Sequence, residues 1–312
     1  NITKTIANRK NIVYTVFITG KQGNSMGQSR QKRDRFAAWL GLIPFLLFCL
    51  AFEIIPILLL IKDSLFSKEG ALTAVNFQNA LAPLYIRSFW NSIKLSGITA
   101  LIGTLIGLVV GYSIYRWPSK RMQEILITLS DVTTNFAGAP LAFAFIIILG
   151  SNGLVTQFFL KNLNIALYPN FSVYSFSGLI LAYVYFQLPL MVLLIIPAFG
   201  GIKKEWRESA TNLGAGTTQF WWNIGLPILT PSLIAGFTLL FANAFGAYAT
   251  AYTLTGSKLS LITLQIGFTI TGEVLHDPGI GQAMAVISLL IMGTCIAIYR
   301  AATSRAQRWS RR

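Results

Sequence analysis

The chain has 312 residues, 54% hydrophobic and only 11% charged, with a formal net charge of +15 and a mean hydropathy of +0.61. Soluble domains carry about 25% charged residues, so a water-soluble globular protein is excluded and the surplus apolar side chains must face lipid. The single His, His276, and two Cys, Cys49 and Cys295 inside apolar runs, make neither a metal site nor a disulfide framework.

In chain order, residues 1–35 read as a basic cytoplasmic tail. The chain does not begin with Met. An apolar patch, Ile12 to Ile18, is too short to span a bilayer and lacks a small-residue cleavage pattern. Met26 resembles a natural start, so residues 1–25 are read as an extension, a mis-set start or a fusion remnant. Six long apolar segments follow, near Ala37 to Ile61, Phe89 to Tyr115, Ile125 to Gly150, Gly178 to Ala198, Leu229 to Leu254 and Gly281 to Ala302. Each can cross a bilayer core of about 30 Å as a helix. The expected fold is all-α, a polytopic membrane protein with six transmembrane helices over residues 36–302 and a basic cytoplasmic tail over 303–312.

The charge is partitioned rather than spread. With a cytoplasmic N-terminus, the inner side holds eight basic residues in 1–35, three in 116–121, three in 203–207 and five in 300–312, leaving six of the 25 for the other side. Every second loop is basic, which fits six spans with both ends in the cytoplasm. A membrane partition, not nucleic acid, accounts for the +15.

Within the second segment, Gly103, Gly107 and Gly111 recur every four residues and strip one face of side chains, so another backbone can approach closely. That backbone belongs either to the same chain or to another subunit. Ionisable groups inside the segments are few and costly. Glu53 and Asp131 read either as parts of a hydrophilic path or as groups near opposite membrane surfaces, where water or a neighbouring helix meets them. Asn135, Gln187 and Asn243 divide between the path and interhelical hydrogen bonding. Pro140, Pro189 and Pro197 permit bends in the third and fourth segments. The fifth sets Ala and Gly among Phe241, Phe245, Tyr248 and Tyr252, a pattern suited to packing on one side and a passage on the other. His276, beside Asp277 and Pro278, reads as a turn residue.

No G-x-x-x-x-G-K-[ST] or H-E-x-x-H sequence occurs. The chain thus shows no phosphate loop for hydrolysing ATP, and uphill movement of a solute would draw its energy from a partner. The loop at 200–227 is polar, lies between two apolar runs and offers such a partner a contact. Lys203 to Leu213 reads as a short helix closed by Gly214, with Phe220, Trp221 and Trp222 beyond it as interface anchors or the knob of a protein contact.

Glu208, Ser209, Ala210, then Gly214, Ile224, Leu226 and Pro227 resemble the E-A-A-x3-G-x9-I-x-L-P signature of permease subunits of bacterial binding-protein-dependent ABC importers, with Ser209 in place of the second Ala. The resemblance covers roughly Phe36 to Ala302. It implies a type I importer permease fold in which this loop docks on an ATP-hydrolysing subunit, Glu208 supplying polar contact, Ala210 close approach and Gly214 the turn. It further implies a second permease chain, copy or paralogue, two ATP-binding subunits that hold ATP and Mg, and an extracytoplasmic solute-binding protein, all at a bacterial inner membrane. No cofactor and no metal is expected in this chain itself.

Ser175 through Tyr185-Phe186-Gln187-Leu188-Pro189 and the run Phe241 to Tyr252 are similar to permeases of the spermidine/putrescine class, whose relatives handle ferric iron, thiamine and phosphonates. A polyamine would meet carboxylates and aromatic faces. Glu53, Asp131, Asn135, Tyr183, Tyr185, Gln187, Asn243, Tyr248 and Tyr252 are the candidate path residues, with plain packing as the alternative for Tyr183, Tyr185, Asn243, Tyr248 and Tyr252. A secondary transporter is the rival class. It would show inverted repeats or paired broken helices and need no ATPase.

Overall fold

The computed structural model describes residues 41–66, 70–272 and 276–310. Two compact units divide at Lys62, namely Asn1–Lys62 and Asp63–Arg312. The tail at 1–40 lies outside the described residues. Among the described residues the elements are helical: α1 Gly41–Ser64, α2 Val75–Ala80, α3 Pro83–Tyr115, α4 Lys120–Thr134, α5 Gly138–Leu149, α6 Leu154–Leu163, α7 Phe176–Gly200, α8 Lys204–Asn212, α9 Thr217–Gly246, α10 Ala249–Thr255, α11 Ile262–Thr271 and α12 Pro278–Ser310. Six stretches are long and apolar enough to cross a membrane: α1, α3, α5 with α6, α7, α9, and α12 as far as Ala301.

In the first unit, α1 contains a π-helical segment, Leu50–Ile54, that includes Glu53. Its large apolar side chains, Phe45, Phe48 and Phe52 among them, are exposed, as a lipid-facing or subunit-facing helix requires.

The second unit is organised on α3. Ser88, Ser92, Ser96, Thr99, Gly103, Gly107 and Gly111 are buried at three- to four-residue spacing, so one face of α3 is a shallow groove. α7 fills it, and the two form the most extensive helix pair, with α9 packed on both. A Cβ on Gly107 would lie 2.6 Å from Met191 Cβ and Cγ, and one on Gly111 would overlap Ile195. Absent side chains therefore set the closeness of the pair. The glycine face meets a helix of the same chain. Gln187 continues the seam: its Nε2 donates to Thr99 Oγ1 at 3.1 Å, while its Oε1 has no partner among the described residues.

Three core clusters hold the unit together. One surrounds Tyr183, Phe186 and Leu264, one Phe245, Ile262 and Met284, and one Met191, Ile195, Phe199 and Leu240. Side-chain bonds tie loops to this frame, for the Asn91 amide donates to Ser260 O and Ile262 N–H donates to Ser92 Oγ.

Several expected boundaries need correction. The apolar run Ile125 to Gly150 is not one helix, because α4 ends at Thr134, Asn135–Ala137 is non-helical and α5 restarts at Gly138. Pro140 falls in the first turn of α5, where its missing N–H removes no helical bond. The expected fifth span, Leu229 to Leu254, instead begins at Thr217 and ends at Gly246, with α10 a separate short helix. Residues 303–310 continue α12 rather than forming a separate tail. Cys49 and Cys295 are free.

Candidate functional site: a cleft at two helix breaks and a loop helix

The two unexpected breaks face each other. α4 stops at Thr134 and α9 at Gly246, and the chain restarts at Gly138 and Ala249, so four helix ends meet at one place. Gly138 has φ +72°, a conformation costly for other residues, and its carbonyl accepts a bond from Thr250 Oγ1 at 3.3 Å. Tyr183, 1% exposed on α7, supports the second break from behind by donating its hydroxyl to Ala247 O at 2.8 Å.

Between the breaks lies an open cleft of about 680 Å³. Thr134 and Gly138 form one wall, Ala242, Asn243 and Gly246 the other, and Phe186, Leu190 and Tyr248 close the remaining sides. Among the described residues, no Lys, Arg, Asp or Glu lines it. Tyr248 also borders a smaller groove of about 410 Å³ with Thr263, Ile266 and Thr271, so its ring separates two spaces. That ring stacks on Tyr252 at 5.4 Å and 13°, and both tyrosines are exposed. Helices broken where they line a cavity are what non-helical backbone at membrane depth requires, since elsewhere the freed peptide groups would be unpaired in hydrocarbon.

The candidate path residues separate on this geometry. Asn243 and Tyr248 line the cleft, Tyr252 stacks behind Tyr248, and Tyr183 positions the break. Tyr185 is exposed and sets its ring edge-on to Phe145. Gln187 is fully buried in the α3–α7 seam and does not line the cleft. Asp131 and Asn135 are exposed at the end of α4, where the Asn135 amide donates to Asp131 O. Glu53 is exposed on α1, in the other unit. Sequence reading missed Thr134, Gly138, Phe186 and Thr250. Gly138-Ala139-Pro140 was the available signal for the first break.

The loop at 200–227 forms α8. Glu205, Trp206, Arg207, Glu208 and Ser209 are exposed, and Ala210 is the one buried residue of the helix. Its C-terminus closes as a Schellman motif: Ala215 N–H donates to Ala210 O and Gly214 N–H to Thr211 O, both at 2.9 Å, with Gly214 at φ +79°. Gly214 is thus demanded by geometry. The distal motif residues Ile224 and Leu226 flank Gly225 in a π-helical turn, Trp221–Gly225, near the start of α9, with Pro227 exposed just beyond.

Residues 103–309 match the family model described as the binding-protein-dependent transport system inner membrane component. The chain belongs to this family. It is a permease subunit of an ABC importer and a multi-pass inner-membrane protein. It is 28% identical over 257 residues to a spermidine/putrescine transport system permease protein, PotB, of Haemophilus influenzae, covering 80% of this chain and 87% of that one. It is also 26% identical over 249 residues to a probable sulfate transport system permease protein, cysT, of Helicosporidium sp., covering 78% and 88%. Among solved structures, a bacterial ABC transporter for import of the acidic polysaccharide alginate matches with a TM-score of 0.66 at 18% identity, over 89% of this chain and 96% of that one. The MetNI methionine ABC transporter in inward-facing conformations matches at 0.52 and 16%, over 71% and 95%. These two share the fold.

Proposed function

We propose that this permease forms, with a second permease chain, the path for a small organic cation, a polyamine first among them, and that the cleft at the two helix breaks is its part of that path. The observation that carries the reading is a cleft framed by the aromatic faces of Phe186 and Tyr248 with no charged side chain among the described residues that line it. The C-termini of α4 and α9 and the N-termini of α5 and α10 all reach the cleft, so their partial charges favour neither sign, and it is the Tyr248 and Phe186 rings that supply faces attracting ammonium groups. A passage that attracts a cation without a carboxylate holds it weakly, so the solute leaves again and a solute-binding protein sets selectivity. Among the described residues of the lining, a sulfate dianion would find no Lys or Arg to replace its water.

On this reading α8 docks on one of two ATP-binding subunits, which hold ATP and Mg on the cytoplasmic side with both termini of this chain. Their closure rocks the spanning helices between inward-open and outward-open states. Glu208 faces that contact and Gly214 fixes the turn that presents it, whereas Ala210, expected to give close approach, is buried within this chain. The paired broken helices suit a secondary transporter as well, but the capped, exposed α8 has no purpose in that class.

Uptake in cells deleted for this chain tests the solute. Loss of labelled spermidine and putrescine uptake with sulfate uptake intact supports the proposal. Loss of sulfate uptake alone contradicts it.

A further inference from the structure

α8 packs little against the other helices of this chain, so its displacement must enter the membrane part through the chain that follows it. That chain turns at Gly214, starts α9 at Thr217 and reaches Trp221 within two turns. Trp221 sets its ring edge-on to Tyr112 of α3, with centroids 5.2 Å apart at 90°, and to Phe199 of α7, 6.4 Å apart at 85°. Tyr112 and Phe199 also meet each other at 5.4 Å, and the Arg116 guanidinium lies over the outer part of this knot, 6.0 Å from the Tyr112 ring.

The backbone is shaped for this contact. Leu226 N–H bonds to Trp221 O, five residues back, so one extra residue is wound into α9. Such π turns re-aim side chains and recur at functional positions. Gly225 lies beneath the indole, and a Cβ there would overlap the ring at Cε3. Trp221, the π turn and Gly225 therefore form one device. It overlaps the Ile224 and Leu226 half of the loop motif, whose spacing it explains.

We propose that Trp221 is the positioning residue that transmits displacement of the cytoplasmic loop to α3 and α7, and so to the cleft. This rests on the reading of α8 as the ATPase dock. Because Phe186 and Leu190 on α7 line the cleft, a push at Phe199, nine residues beyond Leu190, travels to it along one continuous helix in which Pro197 lies between the two.

The test uses the complete complex in lipid nanodiscs, with Cys49→Ser, Cys295→Ser and Ala242→Cys, and follows labelling by a water-soluble maleimide with and without ATP and vanadate. In this background, nucleotide trapping should change the labelling rate at position 242. Trp221→Ala should shrink that change about 2- to 30-fold, while the ATPase still co-purifies and still hydrolyses ATP. Trp221→Phe should restore most of it, and Gly225→Ala should reproduce the defect from the other side of the contact. A nucleotide response in Trp221→Ala equal to that of the parent overturns the inference, as does loss of the ATPase from the Trp221→Ala complex, which would make Trp221 a docking residue. No ATPase in the parent complex would instead overturn the docking reading on which it rests.

Discussion

Tyr183→Phe isolates one hydrogen bond at the cleft. The substitution keeps the ring, its packing in the core and its tilted contact with Phe186, and removes only the donor that reaches Ala247 O at 2.8 Å. Ala247 lies between α9 and α10, so its carbonyl has no helical amide ahead of it. Hydrogen bonds between helices inside membranes are worth ~0.6 kcal/mol on average and ~1.7 kcal/mol at most. The cleft admits water to the same carbonyl, which favours the lower half of that range. The native geometry of the break should therefore lose about 3- to 7-fold in population relative to its open alternatives. Hydrogen exchange should register this as faster exchange at the amides of residues 249–252, with α3 and α7 unchanged, and solute uptake should fall by a similar factor. Wild-type exchange at 249–252 with wild-type uptake would refute the claim that Tyr183 holds the break.

Three further perturbations separate packing from coupling. Gly214→Val puts a β-branched residue at φ +79° and should cost at least about 1–2 kcal/mol of the α8 cap; recovery of the ATPase with the chain should drop while membrane insertion stays normal, and undiminished recovery would count against α8 as the dock. Gln187→Met trades one bond to Thr99 for removal of a buried carbonyl that has no partner, so melting of the purified chain should be unchanged or slightly raised, whereas a loss of about 2 kcal/mol or more would show that this amide has a partner after all. Gly107→Leu drives a side chain into Met191 and should destabilise by about 1–3 kcal/mol, read as a lower melting temperature, with wild-type melting contradicting the α3–α7 packing.

The six spans were legible because their number follows from apolar length and alternating basic loops, which depend on side-chain chemistry alone. α3 was clear for the same reason, since Gly103, Gly107 and Gly111 announce a close neighbour, although only the fold identifies it as α7. The breaks were not legible. A hydropathy window sums side chains and is blind to the backbone, so the apolar residues on both sides of Asn135–Ala137 merged into one expected helix, and those around Ala247 into another. The early start of α9 was hidden the opposite way, because Thr217, Thr218, Gln219 and Asn223 dilute the apolar signal of a stretch that is helical. The loop helix was readable from Gly214, whose capping role is local. Trp221 was visible as an aromatic but not as a link, because Tyr112 and Phe199 stand far from it in sequence and only the packing of α3 on α7 brings them to its ring.

The most direct test of an ATP-driven permease coupled through α8 is isolation of this chain from native membranes in mild detergent with identification of its partners, beside the same isolation of the Glu208→Lys chain. The account expects an ATP-binding subunit and a second six-span permease with the wild-type chain, and the permease without the ATPase for Glu208→Lys. A wild-type chain recovered alone from several detergents, or an ATPase equally abundant with Glu208→Lys that still shows solute-stimulated hydrolysis and transport, would contradict it.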